Sequence, residues 1–116
     1  MAKQSEYVTR VLEILTPLGE IRAKPMFGGH GLFLDGPMFA LITRADELYL
    51  KADAENRPAF EARGLQGYGK MPYRAAPPEA LEGWFGMQPW AEGAVAAAGR
   101  AQAVKGSRGA KKKRQK

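Results

Sequence analysis

At 116 residues, with 45% hydrophobic and 26% charged side chains, the chain has the length and composition of one folded domain with a single core. It has no cysteine, one histidine and two serines, Ser5 and Ser107, which excludes disulfides, thiolate metal sites, thiol nucleophiles and a buried serine triad. Its net charge of +6 has one source: residues 105 to 116 hold seven basic side chains and no acid, while the remainder is close to neutral.

Ser5 is placed to cap a first helix in which Val8, Val11, Leu12 and Leu15 recur at three- and four-residue spacing, and Pro17 and Gly19 end it. Ile21, Ala23 and Pro25 then alternate with Arg22 and Lys24 in a strand that runs to Met26 and Phe27. Gly28, Gly29 and Gly31 match neither phosphate-loop pattern and lead into a strand, so a backbone bend is the reading here. Segments 30–34 and 38–43 flank Asp35, Gly36 and Pro37, a reversal signal that makes them a hairpin.

Both faces of that hairpin read as apolar, with Phe33, Phe39 and Leu41 on one and Leu32, Leu34, Met38 and Ile42 on the other. Helices are expected to cover one face. The second set, Leu32, Leu34, Met38 and Ile42, is the expected interface with another copy or extra cover. Asp46 and Glu47 form the next turn, and a strand from Leu48 to Lys51 sends Leu48 and Leu50 one way, Tyr49 and Lys51 the other.

Asp53 is positioned to cap a short helix that carries Phe60 and ends near Gly64, with Pro58 delaying its first regular turn. Residues 68 to 73 form a strand that Pro72 restricts to a sheet edge or bulge. Pro77 and Pro78 open a helix expected to carry Leu81, Trp84 and Phe85 on one side, and Gly86 and Pro89 are expected to break it before an Ala-rich segment. The order is α-β-β-β-β-α-β-α, an α+β fold with a largely antiparallel sheet of about five strands. The domain is expected to span residues 1–104, with 105–116 a disordered basic tail.

Little of this looks catalytic. His30 alone cannot build a zinc site, and Asp35, Asp46, Glu47 and Asp53 read as turn and cap residues before they read as a glycosidase pair. No enzyme activity, cofactor or metal is expected. Two nucleic-acid readings stay open. Tyr49, Tyr68 and Tyr73 would form a platform for unstacked bases if they shared a face with Arg22, Lys24, Lys51 and Lys70, although sheet packing accounts for them as well. Lys105, Arg108, Lys111, Lys112, Lys113, Arg114 and Lys116 could neutralise phosphates without reading bases, or serve only as a solubilising tail. The lack of cysteine and of any apolar run of about 20 residues points to a cytoplasmic protein with no membrane span.

Several segments taken together resemble one family. Residues 26–32 (MFGGHGL), 35–42 (DGPMFALI) and 48–53 (LYLKAD) are followed by Asn56-Arg57-Pro58, Phe60-Glu61-Ala62, Gly64 and Met71-Pro72-Tyr73. In this order they are similar to the N-terminal domain of the TfoX/Sxy family over roughly residues 7 to 100. The resemblance implies a bacterial cytoplasmic protein, an α+β fold similar to secretion chaperones, frequent dimers and a name tied to competence-gene regulation. It brings no catalytic residues. Longer members carry a second, helical domain where this chain has its basic tail, so a stand-alone domain is expected, acting as a regulatory interaction module with a homodimer and an unidentified protein as partners.

Overall fold

A computed structural model describes residues 6–26 and 28–114, with side chains described through residue 103. The proposed cap Ser5 lies outside the described residues. Helix α1 (Glu6–Leu15) buries Val8, Val11, Ile14 and Leu15, while Leu12 is only half-buried. A 3-10 turn at Thr16–Leu18 follows it, as Pro17 requires, and Gly19 leaves the turn at φ 135°.

Six strands follow: β1 (Arg22–Met26), β2 (Gly29–Phe33), β3 (Met38–Ile42), β4 (Leu48–Lys51), β5 (Gly67–Tyr68) and β6 (Met71–Ala75). All neighbouring pairs are antiparallel, in the order β1-β2-β3-β4-β6-β5. The class is therefore the α+β one read from the sequence, with one more strand than the five expected. The difference arises at Gly69, whose φ of 55° turns the chain and splits the single strand expected over 68–73 into β5 and β6. Pro72 sits where the β5/β6 pairing shifts register, the bulge that its missing N–H favours.

The hairpin of β2 and β3 turns at Asp35 and Gly36, with φ of 55° and 115°, and the Leu34 N–H donates to the Pro37 carbonyl. Within it the ladder pairs Leu32 with Ala40 but Phe33 with Met38, leaving Phe39 as the extra residue of a bulge. Phe39 and Ala40 therefore both enter the core, and Met38 goes to the opposite face. This corrects the simple alternation: Leu32 and Ile42 are 0% and 2% exposed in the core, and Leu34 packs against it. Of the four expected interface residues, only Met38 lies on the outer face.

Helix α2 (Arg57–Ala62) starts one turn after Asp53, with Pro58 in its first turn. Asp53 instead closes the preceding turn, its carboxylate accepting the N–H groups of Glu55 and Asn56. After a 3-10 turn at Pro78–Glu82, helix α3 (Trp84–Arg114) runs without the expected break. Pro89 removes only one ladder hydrogen bond, near the helix start. Gly86 is a packing residue here, since a Cβ on it would overlap the Glu79 carbonyl. The helical backbone also continues past residue 104 to Arg114, through a segment expected to be disordered. Extending a helix that is already nucleated costs less than starting one, although Gly106 and Gly109 are poor helix formers.

Met87, Ala91, Ala94 and Ala98 of α3 join α1, Phe60 of α2 and the inner side of β2, β3 and β4 in one core. Small Ala side chains bring α3 close to the sheet. Midway along, α3 is fastened by Arg100, whose Nε and Nη2 donate to the two Asp53 carboxylate oxygens at 2.7 and 2.9 Å.

Three substitutions test this packing. A Cβ on Gly29 would overlap the Ile42 carbonyl oxygen, so Gly29→Ala should lower the thermal midpoint by about 10 °C or more. Gly64→Ala, at φ 69° with open space around it, should cost only about 1–2 kcal/mol. The Arg100 hydrogen bonds hold the Asp53 carboxyl down at about 2, from 3.8. A lowered folded-state value adds stability above pH 4 that disappears as the pH falls towards 2. Arg100→Ala should raise the Asp53 midpoint towards 3.8 in a carboxyl NMR titration, and its stability deficit at pH 6 should shrink at pH 2.5.

Candidate functional site

The sheet has an inner face, packed under the helices, and an outer face that the core does not reach. Strand alternation and register place Arg22, Lys24 and Met26 of β1, Phe33 of β2, Met38 and Leu41 of β3, and Tyr49 and Lys51 of β4 on the outer face. Tyr73 and Ala75 of β6 lie directly opposite Lys51 and Tyr49 and share that face. Leu41 is nonetheless 5% exposed. Gly31 makes room for two side chains of this face: a Cβ there would lie 2.7 and 2.8 Å from the sulfurs of Met38 and Met26. Helix α3 approaches this face at its margin, where Ala98 and Gln102 line a groove with Pro37, Met38 and Tyr73.

Of the three tyrosines singled out in the sequence, Tyr49 and Tyr68 meet, while Tyr73 is buried. The Tyr49 and Tyr68 rings meet at 5.0 Å between centroids, tilted by 54°. The residue of β6 opposite Tyr49 is Ala75, small enough for the ring from β5 to lean across. Tyr73 is buried, its hydroxyl 3.4 Å from the Met38 carbonyl, and burial raises its pKa. Tyr49 is raised as well, by burial first and then by the Glu47 carboxylate and Tyr68. Lys51 Nζ stands 5.2 Å from the Tyr73 ring centroid and Lys24 Nζ 5.4 Å from that of Phe33, both favourable cation–π placements. Lys70 occupies the β5–β6 turn beside this face.

Charge is partitioned between the two sides. Among the described residues, the arginines bound to carboxylates are Arg57, Arg63, Arg74 and Arg100, and Arg10 donates to the Leu81 carbonyl. Arg22, Lys24 and Lys51 make no ion pair within 4 Å among the described residues. Glu47 stands at one end of the face, and Glu20 and Asp35 border a groove beside Arg22 at the other.

A second surface lies between α2 and α3. Phe60 meets Trp90 edge-on at 5.0 Å, and Arg63, held by a double hydrogen bond to Glu79 at 2.6 and 3.0 Å, covers the Trp90 ring at 5.7 Å. That pair draws the Glu79 carboxyl down to about 2. Asn56, Ala59, Phe60, Pro89, Trp90 and Gly93 line an apolar cleft of about 210 Å³. One turn before Pro89, Phe85 is 94% exposed. It does not share the side of Leu81 and Trp84, which pack against the core. The sequence carries a signal for this surface: Phe85, Pro89 and Gly93 recur every four residues, which aligns them on one stripe of a helix once α3 is unbroken.

His30 is half-buried on β2, opposite Pro25 and Ile42, and no group of His, Asp or Glu suited to a metal ion occurs among the described residues. Asp35 and Asp46 occupy turns at positive φ, and the Glu47 carboxylate receives the Thr43 hydroxyl. The side chains of the seven tail cations lie outside the described residues. No described helix is long and apolar enough to cross a membrane.

No curated protein matches this chain. The TfoX N-terminal domain pattern, however, matches residues 13–98, a span that runs from the last turn of α1 to the core-facing part of α3 and includes the whole sheet and the cleft. With most of its length accounted for in this way, the chain belongs to the TfoX N-terminal domain family.

Proposed function

We propose that this protein is a non-enzymatic regulatory module, in the line of transcription or competence regulation that its family name suggests, and that it works in the cytoplasm as a homodimer. The observation that carries the reading is Phe85, a large apolar side chain 94% exposed beside an open apolar cleft. A single surface with both a knob and a matching hole suits a two-fold contact, in which each copy supplies both parts. If two α3 helices cross antiparallel near Pro89, Phe85 of one falls opposite Gly93 of the other, where the missing side chain deepens the cleft. A Cβ on Gly93 would make only ordinary contacts with Asn56, at 3.6 and 3.7 Å, so the glycine is not required by the fold.

Sedimentation velocity at tens of micromolar should show a dimer for the full chain. Phe85→Ser should raise the dissociation constant by about two to four orders of magnitude, since the contact occurs twice and each buried Phe contributes about 1.5–3 kcal/mol. Its melting temperature as a monomer should be unchanged. Gly93→Leu, which fills the cleft, should have the same effect on assembly. A wild-type chain that sediments only as monomer would sink the dimer.

The basic tail supports a second reading, an accessory protein with affinity for nucleic acid, because seven cations with no acid among them make a strong phosphate-neutralising segment. Changing Lys111, Lys112, Lys113 and Arg114 to Gln in the full chain should flatten the salt dependence of duplex DNA binding by about 3–4 in log–log slope. An unchanged slope would remove the tail from that role.

A further inference from the structure

We infer that the outer face of the sheet is a binding surface for single-stranded nucleic acid, held through Lys24 and Lys51 and contacted by base stacking on Tyr49 and Tyr68. The surface is separate from Phe85 and its cleft, and it owes nothing to the tail. Three observations converge on it.

The first is charge. Cations on the helix side are bound to carboxylates or a carbonyl, whereas Lys24 and Lys51 have no acid within 4 Å among the described residues. Each is held over an aromatic ring instead, which fixes the ammonium group without consuming its charge. Among the described residues, Asp46 and Glu47 stand at one end of the face and Glu20 with Asp35 at the other, so a polyanion is drawn to the ground between them.

The second is the aromatic pair. Tyr49 and Tyr68 are half-buried, tilted to one another at 5.0 Å, and project from the same face as the two lysines. Rings presented on a sheet beside cations accept the flat faces of bases, and those faces are accessible only when the bases are unstacked. A duplex offers its phosphates to the lysines but hides the base faces from the tyrosines.

The third is extent. Lys24 on β1 and Lys51 on β4 are three strands apart, about 14 Å. Tyr68 on β5 lies two strands further, so the ligand that spans the face is an oligomer. Single-stranded DNA and RNA share the chemistry that this face selects.

Fluorescence anisotropy with the full chain tests the inference, using labelled dT16, U16 and a 16-base-pair duplex. The wild-type chain should bind dT16 or U16 at least tenfold more tightly than the duplex, and the stronger of the two identifies the natural strand. The double variant Tyr49→Leu/Tyr68→Leu should lose at least tenfold on the single strand while its duplex affinity stays within twofold. Lys24→Gln/Lys51→Gln should flatten the single-strand salt slope by about 1.4.

If the tyrosine variant melts below the assay temperature, photo-crosslinking of dT16 to the wild-type chain decides. Adducts at Tyr49 or Tyr68 support the assignment, and adducts confined to 105–116 overturn it. Equal or greater affinity for duplex overturns it too. A chain that binds no oligonucleotide leaves the face to a protein ligand, and the inference fails, while the dimer through Phe85 stands or falls on sedimentation alone.

Discussion

The bulge at Phe39 is the constraint on which the two-sided character of this protein rests. Without it, strict alternation would put Phe39 on the same side as Leu41 and turn Met38 inward beside Ala40. With it, Phe39 and Ala40 enter the core together, and Met38 is released to lie over Gly31. A large ring fills the space beneath α3, whose Ala-rich side requires a bulky partner. The outer face acquires a flexible thioether in place of a second phenyl ring. Burying Phe39 and bringing Met38 over Gly31 both follow from one residue of register shift.

The same division runs through the charges. Arg63 and Arg100 tie α2 and α3 to the rest of the fold by paired hydrogen bonds to Glu79 and Asp53, and their geometry is bidentate and short. Among the described residues, Lys24 and Lys51 of the outer face are placed over rings and make no ion pair. Arginine's planar fork suits a fixed partner, while lysine's compact ammonium remains available to a mobile one. The helix side is thus electrostatically finished, and the sheet side is not. Phe85 breaks the pattern, an apolar group left in solvent where the helix side is otherwise closed.

Much of the fold could be read from local sequence, because local rules decide it. The turn at Asp35 and Gly36 needs positive φ at both residues, and few pairs tolerate that as well. Leu48 and Leu50 alternate with Tyr49 and Lys51 in a strand too short to slip, and their burial follows. The features that escaped depend on partners distant in the chain. Phe39 is displaced by pairing with β2, which no window around residue 39 contains. Pro89 and Gly86 look like breaks, yet one lost hydrogen bond is outweighed by the packing of Met87 and Ala91 into the core, and Gly86 is needed where α3 meets Glu79. Phe85 is adjacent to Trp84, and only the true phase of the helix separates them. The tyrosines could be named from the sequence, but their meeting needed Gly69 to fold β5 back along β6 and Ala75 to leave space between them. Family membership confirms the domain type without assigning work to either surface.

The margins of the sheet have a bearing on how the protein behaves when concentrated. β1 forms one margin and carries Arg22 and Lys24 beside Pro25, which has no N–H to offer, while β5 at the other margin is two residues long. Neither presents the long, flat ladder of donors and acceptors on which a stranger's strand could grow. Ribbon-like polymerisation is thereby discouraged at both ends of the sheet, and molecules that come together are directed to meet through their broad sides, in assemblies of limited size.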